Sequence, residues 1–368
     1  MLKRSFLRHA AAWPLIAVAP RLLAAGNDAP AVIRIGVATG GVGNPVRFGG
    51  SSAALVHSTG ALEEEFKADG TKIEWVFFKG AGPAVNEALV NKQLDLAWQG
   101  DLPSIVHRAG GVKTRIIAGS GVRNGLYLAV PPDSTVKRIE DLRGKRIALY
   151  KGTNLHLAAV RALAAHGLKE SDVRLINLDL PGAQAALATK DIDGAFGYVE
   201  LFVLRDKGVA KVIYSASEDS FKYTRQTVLL ASDDFARNQP KATQRIVNTL
   251  VKVARRYSDE SQRDEVFAQW GKAEVAEKYW REDFIGQPLR TRLSPLLDPF
   301  LVQRYKDSAE QALALKLVRG KAEIDSWFDR SFLDAALREL KLENYWPVYE
   351  ANGEVSGKQV ALGFKAAA

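Results

Sequence analysis

The chain has 368 residues, enough for two domains of ordinary size, and its 47% hydrophobic and 25% charged residues are typical of a globular protein. It contains no cysteine, which excludes disulfides, thiolate metal sites and cysteine nucleophiles. Four of the charges behind its formal net charge of +9 lie in positions 1–25, and no basic run interleaved with aromatic residues indicates nucleic-acid binding.

Residues 1–25 are predicted to be a signal peptide, so we expect an exported, periplasmic protein. The segment begins with the basic residues Lys3, Arg4 and Arg8, continues with the short apolar run Ala10–Ala19, and ends with small residues at Ala24-Ala25 that suit a cleavage site. Its short length argues against a membrane anchor. The basic start also resembles a twin-arginine signal with lysine in the place of the first arginine, which leaves the Sec and Tat export routes both open.

From Ile33 onward the pattern alternates between strand and helix and predicts an α/β unit. The predicted elements are strands Ile33–Val37, Ile73–Phe78 and Leu94–Trp98, with helices ending near Phe66 and covering Pro83–Asn91. The loop after the first strand contains Gly41 and Gly43 but no third glycine at position 46, so a dinucleotide fingerprint is excluded. Asn44 in this loop is a candidate ligand contact.

A second unit centres on residues 139–167, which read as a short helix, a buried strand, a glycine turn and a helix. The apolar strand Ile147–Tyr150 is followed by Lys151–Asn154, and Gly167 ends the helix. Thr153 and Asn154 are residue types that cap helices, so the first free N–H groups should point beyond the strand end and form an anion site. An ordinary capped helix without a ligand is the alternative.

An internal match suggests that the two units share one topology. Residues 88–98 align with 186–196, where Ala, Leu, Lys, Asp and Ala coincide. We therefore predict one lobe from 31–122 plus 226–368 and a second from 126–218. Ligands of such sheets sit beyond the carboxyl ends of the strands, which places Gln99–Asp101 opposite Tyr198–Glu200.

Several motifs give the chain a resemblance to a known family: Asp141–Ala148, Lys151–Asn154, Asp191–Phe196, Gly100–Pro103, Phe332–Leu337 and Tyr345-Trp346. In this order they resemble periplasmic binding proteins of transporters for sulfonates, taurine, nitrate and related compounds. The resemblance covers nearly the whole chain after the signal segment. It implies a type II two-lobed α/β fold, in which each lobe is a mostly parallel sheet flanked by helices and the ligand lies in the interlobe cleft.

The resemblance also implies a set of ligand-binding residues. The glycine turn would place donors on a ligand oxyanion through Gly152, Thr153 and Asn154. The ends of two strands would line the opposing walls with Gln99, Gly100 and Asp101 on one side and Tyr198 and Glu200 on the other. The family commonly has Trp-Asp-Pro where this chain has Tyr198-Val199-Glu200. Because taurine-type members are thought to use that aspartate for the amine, Val199 argues against taurine.

The implied function is the solute-binding component of an ABC importer that captures a small organic anion, an alkane or aryl sulfonate or a sulfate ester, and delivers it to a membrane-embedded permease. We expect a monomer with no cofactor, no metal, no nucleic-acid partner and no catalytic residues. Nitrate or bicarbonate, taurine-like zwitterions and a thiamine-pyrimidine precursor remain alternative ligands. Enzymes on the same fold are disfavoured, because those that it resembles use cysteine chemistry. For a simple sulfonate, Asp101 and Glu200 should lie off the anion, paired with neighbours such as Arg47 or Arg225.

Overall fold

A computed structural model describes residues 29–356, so the predicted signal peptide lies outside the described residues. The strands within this range are β1 Val32–Val37, β2 Lys72–Phe77, β3 Leu96–Gly100, β4 Thr114–Gly119, β5 Tyr127–Val130, β6 Arg146–Leu149, β7 Arg174–Asn177, β8 Gly194–Gly197, β9 Lys211–Ser215 and β10 Thr227–Ser232.

The α-helices of the same range fall between these strands and then fill the last third of the chain. They are α1 Ser52–Thr59, α2 Ala61–Phe66, α3 Ala81–Val90, α4 Asp101–Ala109, α5 Asn154–Ala165, α6 Leu180–Ala188, α7 Glu200–Asp206, α8 Ala216–Asp219, α9 Asp233–Asn238, α10 Pro240–Tyr257, α11 Arg263–Trp270, α12 Glu277–Asp283, α13 Leu289–Arg292, α14 Pro299–Ala314 and α15 Ser331–Leu340. None of the described helices has the length and apolar character needed to cross a membrane.

The strands form two five-stranded sheets with one topology. The first sheet has the order β2-β1-β3-β10-β4, and the second has the order β7-β6-β8-β5-β9. In each sheet the second strand of this order, β1 or β6, pairs in parallel with the strands on both sides of it. The fourth strand, β10 or β5, runs antiparallel to both of its neighbours. That antiparallel strand is the one that the chain forms directly after crossing from the other sheet. This confirms the predicted fold class. We call the first sheet with its helices lobe 1 and the second lobe 2.

Two crossing segments join the lobes, residues 120–126 and 216–226. They pair with each other at Asn124 and Arg225, whose backbone N–H and C=O groups exchange two hydrogen bonds of 3.0 Å. The Arg225 side chain adds a third bond, from its Nε to the carbonyl of Gly125 at 2.7 Å. The only two covalent connections between the lobes among the described residues are thus held side by side, as a hinge requires.

Buried apolar runs explain why the central strands form. Ile33, Ile35 and Val37 of β1 are almost fully buried, and β5 and β8 are buried along their whole length because helices cover both faces of each sheet. The helices after β10, which the sequence assigns to lobe 1, also contact lobe 2. α10 packs on α1, α2 and α15, but α14 contacts both α4 and α5, and α12 contacts α7 of lobe 2.

Candidate functional site

The cleft between the lobes has a volume of about 550 Å³ and lies at the carboxyl ends of the central strands. Its walls include, from lobe 1, Thr39, Phe48, Gly49, Gly50, Ser51, Lys79, Trp98, Gln99, Gly100, Glu274, Trp280, Asp283 and Arg292. Lobe 2 contributes Tyr150, Thr153, Asn154, Leu180, Gln184, Tyr198, Val199 and Glu200, and the crossing segments contribute Asn124 and Arg225. The volume suits a small organic molecule.

The α5 helix begins at the cleft wall as predicted. Thr153 is its N-cap, and the hydroxyl of Thr153 accepts from the N–H of Leu155 at 3.3 Å while donating to the carbonyl of Tyr150 at 2.8 Å. The hydroxyl hydrogen of Thr153 is therefore already used. The backbone N–H groups of Thr153 and Asn154 have no partner among the described residues, and they carry the positive end of the helix dipole.

Asn154 joins this helix start to the opposite wall. Its Oδ1 accepts from the hydroxyl of Tyr198 at 3.1 Å, and its Nδ2 has no hydrogen-bond partner within residues 29–356. The same side chain packs directly on Gly100 of lobe 1, where an added Cβ would collide with Asn154 and come within 2.7 Å of its Cγ. Only glycine at position 100 allows the two helix starts, those of α4 and α5, to approach this closely.

Arg225 supplies a cation to the cleft wall. Its guanidinium carbon lies 3.6 Å from the centroid of the Tyr198 ring, and Gly125 holds its Nε. Arg225 forms no salt bridge with any of the residues 29–356. Burial lowers the pKa of Arg225 from its usual value, but a guanidinium remains charged at neutral pH. A charged, stacked and unpaired arginine is a ready partner for an oxyanion.

Glu200 lies near Arg225 but does not pair with it. Its side chain turns back at the start of α7 and accepts from the N–H of Tyr198 at 2.9 Å. Burial in the cleft wall raises the pKa of Glu200 to about 7, against the lowering effect of that hydrogen bond and of Arg225. Glu200 is therefore substantially protonated at neutral pH, and its repulsion of an anion at Arg225 is reduced.

A second arginine at the cleft, Arg292, is neutralised by its neighbours. Its guanidinium meets a carboxylate oxygen of Asp283 at 2.6 Å, and both side chains are 2% exposed. The other carboxylate oxygen accepts from the hydroxyl of Tyr127, and Arg292 also donates to Asn124 at 3.2 Å. This pair anchors β5 of lobe 2 and one crossing segment to lobe 1, so its role is to hold the hinge.

Aromatic side chains form the apolar part of the lobe 1 wall. Trp98 stacks on Trp75 with ring centroids 5.2 Å apart and planes 7° from parallel. Trp280 lies against the backbone of Gly49 and Gly50, where an added Cβ would come within 2.6 Å and 2.9 Å of the indole. Together with Phe48 these rings can cover an apolar ligand tail.

Six of the nine predicted ligand-binding residues line the cleft: Gln99, Gly100, Thr153, Asn154, Tyr198 and Glu200. The structure places the other three, Asn44, Asp101 and Gly152, outside its lining. Asn44 is exposed at the tip of a loop that is closed by two backbone hydrogen bonds between Val42 and Arg47. Gly152 adopts a φ of +79°, and its role is to turn the chain into α5.

Asp101 is the predicted acid whose position departs most from expectation. It is fully buried behind the cleft wall, where its Oδ2 lies 3.5 Å from Arg161 of α5 and accepts from Ser308 of α14 at 3.1 Å. Asp101 thus lies off the cleft, but its partner is Arg161 rather than Arg47 or Arg225. Because α4 belongs to lobe 1 and α5 to lobe 2, this pair connects the lobes.

The sequence analysis did not predict that three charged residues, Arg225, Asp283 and Arg292, line the cleft. It named Arg225 only as a neighbour of the predicted acids. The three residues lie in segments outside the motifs, and only their placement between two lobes brings them to the cleft. The one available sequence signal for Arg225 was its position between the predicted lobe segments 126–218 and 226–368. Among the described residues there is also no cluster of His, Asp or Glu that would hold a metal ion.

Comparisons with known proteins agree with this geometry. A family model described as NMT1/THI5 like matches residues 66–256. The solved structure of a periplasmic protein of Methylobacillus flagellatus KT, named for sulfonate binding, is 32% identical, with a TM-score of 0.76 over 87% of this chain and 97% of that chain.

Two further relatives are more distant or shorter in extent. An Escherichia coli K12 protein named for binding aliphatic sulfonates is 31% identical over 170 residues, which is 46% of this chain and half of that protein. The structure of an alkanesulfonate-binding protein of Xanthomonas axonopodis pv. citri, bound to MOPS, is 23% identical with a TM-score of 0.67 over 82% of this chain and 99% of that chain. At that identity the likeness concerns the fold alone.

Proposed function

This chain belongs to the NMT1/THI5-like family, and on that premise we propose that it is the solute-binding component of an ABC importer. It captures a small organic anion, an alkane or aryl sulfonate or a sulfate ester, in the periplasm and delivers it to a membrane permease. The sulfonate-binding names of its relatives support this ligand class, and so does the chemistry of the cleft.

The observation that carries the proposal is the unpaired guanidinium of Arg225 inside the cleft. The start of α5 lines the same cleft, where the backbone N–H groups of Thr153 and Asn154 and the Nδ2 of Asn154 add oriented donors. A sulfonate keeps one negative charge spread over three oxygens and has no proton to donate. Several fixed donors around one cation match such a group.

The other walls of the cleft favour an organic anion over a small inorganic one. Trp98, Trp280 and Val199 offer an apolar surface that nitrate or bicarbonate would leave uncovered. The raised pKa of Glu200 and the position of Asp101 outside the cleft lining make the two predicted acids poor partners for a ligand amine. These features favour a simple sulfonate or sulfate ester over a zwitterion.

We also propose binding without catalysis. The chain has no cysteine, so it lacks the nucleophile of the enzymes that this fold resembles. The relatives compared above are named as binding proteins. Turnover of any bound sulfonate or sulfate ester, followed as release of sulfite or sulfate, would contradict this part of the proposal.

Calorimetry with the mature protein tests the anion site. Arg225→Gln removes the charge but keeps a polar planar group, and we expect it to weaken alkanesulfonate binding by roughly 2 kcal/mol, about thirtyfold, because a charge-assisted bond is lost. Lys79→Gln is the matched control, since Lys79 is an exposed cation on the rim of the same cleft. Equal effects of the two substitutions would refute a specific role for Arg225. Absence of binding across sulfonates and sulfate esters would refute the ligand class.

A further inference from the structure

We propose that Tyr198 is a positioning residue of the anion site, which prepares two donors for an oxyanion. Its ring holds the guanidinium of Arg225 without neutralising it, and its hydroxyl orients the amide of Asn154. Tyr198 thus acts on the ligand through these two side chains. The inference rests on the proposed function and goes beyond it by assigning the residue that organises its anion site.

Tyr198 is itself firmly held by lobe 2. It directly follows β8, its backbone N–H donates to the Oε1 of Glu200 at 2.9 Å, and its half-buried side chain packs against the buried core of lobe 2. Burial also raises the pKa of its hydroxyl above the usual value, so the hydroxyl keeps its hydrogen at neutral pH. A side chain that is fixed in this way can determine the positions of the groups that rest on it.

The ring of Tyr198 holds Arg225 in a way that differs from how two other buried arginines are held. Arg123 and Arg292 also lie on aromatic rings, 3.9 and 3.8 Å from the ring centroids, but each also meets a buried aspartate at 2.6 Å. At Arg225 the centroid distance is 3.6 Å, and the accompanying hydrogen bond goes to a neutral backbone carbonyl. An aromatic face attracts a cation through its quadrupole and carries no net charge. Tyr198 therefore fixes the guanidinium and leaves its positive charge for a ligand.

The hydroxyl of Tyr198 orients the amide of Asn154. It lies 3.1 Å from the Oδ1 of Asn154 and donates its hydrogen to that oxygen. The Nδ2 at the other end of the amide is then turned towards lobe 1, where it lies 2.8 Å from the position of a Cβ added at Gly100. An amide turned the other way would present its oxygen, which an anion repels. The hydroxyl of Tyr198 therefore decides which end of the amide meets the ligand.

One side chain thereby connects donors from two separate segments. Arg225 belongs to a crossing segment and Asn154 to the start of α5, and within residues 29–356 their side chains form no hydrogen bond with each other. Donors that are held in place before the ligand arrives do not have to be ordered when it binds, which increases affinity. Loss of the Tyr198 contacts should therefore weaken binding, and the loss should depend on the presence of Arg225 and Asn154.

Double-mutant cycles test the inference, measured by calorimetry with propanesulfonate on the full mature chain. Tyr198→Phe keeps the ring and removes the hydroxyl, and we expect it to weaken binding about threefold. Tyr198→Leu removes both and should weaken binding about tenfold. In the Arg225→Gln background, Tyr198→Leu should weaken binding no more than Tyr198→Phe does. In the Asn154→Ala background, Tyr198→Phe should have no effect on affinity.

The matched control is Tyr150→Leu, because Tyr150 is another half-buried tyrosine that lines the cleft and packs against the core of lobe 2. A side chain that only supports the fold weakens binding by the same factor with and without Arg225, and we expect this of Tyr150→Leu.

The same behaviour of Tyr198→Leu would overturn the inference and leave the proposed function standing. So would a loss in Tyr198→Phe that is equal with and without the amide of Asn154. Because Tyr198→Phe preserves the packing of the ring, its cycle decides the question even if Tyr198→Leu does not fold. If no sulfonate binds the unsubstituted protein, the proposed function and the inference fail together.

Discussion

The raised pKa of Glu200 predicts that the ligand-free protein loses stability as the pH rises. A carboxyl group whose pKa is 4.5 in the unfolded chain and about 7 in the fold binds its proton more tightly when folded. Its contribution to the free energy of unfolding is therefore complete below pH 4.5 and is lost progressively up to about pH 7. The shift corresponds to about 3 kcal/mol at most, and the partial exposure of Glu200 reduces this to roughly 2 kcal/mol.

Glu200→Gln isolates this contribution, because glutamine can still accept from the N–H of Tyr198 but cannot ionise. Urea unfolding at a series of pH values should show no effect of the substitution near pH 4.5. At pH 8 the variant should be more stable than the parent by roughly 2 kcal/mol. Glu87→Gln, at an exposed position of α3 away from the cleft, is the control.

The same titration should appear in ligand binding. An anion held by Arg225 disfavours ionisation of Glu200, so alkanesulfonate affinity should fall as the pH rises through about 7, and Glu200→Gln should remove that fall. A stability difference that does not change between pH 4.5 and 8 would refute the argument. A zwitterionic ligand whose affinity increases over this range would show that ionised Glu200 faces its cationic end.

Two further predictions concern the contacts between the lobes. Gly100→Ala would place a Cβ against Asn154, so it should hold the lobes apart and weaken ligand binding by about tenfold or more. Small-angle scattering should show a smaller radius of gyration on ligand addition for the parent but not for this variant, and normal closure of the variant would contradict this interpretation. Asp101→Asn would leave the buried charge of Arg161 without its partner and should lower the free energy of unfolding by about 3 kcal/mol in urea titrations. The control Asp234→Asn breaks an exposed pair with Lys92 and should lower it by less than about 1 kcal/mol. Equal losses would refute a stabilising role for the buried pair.

Local sequence patterns determined most of the fold. The strand predicted at Ile33–Val37 is β1 at Val32–Val37, and the helix predicted after the glycine turn is α5 with Thr153 as its N-cap. Such features depend on neighbours within about four residues, through alternating burial, capping and turn geometry, so they are readable from the chain. The internal match between residues 88–98 and 186–196 likewise predicted two units of one topology, and the structure contains two sheets with equivalent strand orders.

Only the tertiary structure decided which polar side chains reach the cleft. Asp101 directly follows cleft-lining Gly100, yet its carboxylate turns to Ser308, which is 207 positions away in the chain. Arg225 reaches the cleft because its crossing segment pairs with Asn124, 101 positions earlier in the numbering, and because no carboxylate of the described residues captures its charge. The direction of a side chain at a strand or helix end depends on partners that long-range packing supplies, and such partners leave no periodic signal in the sequence.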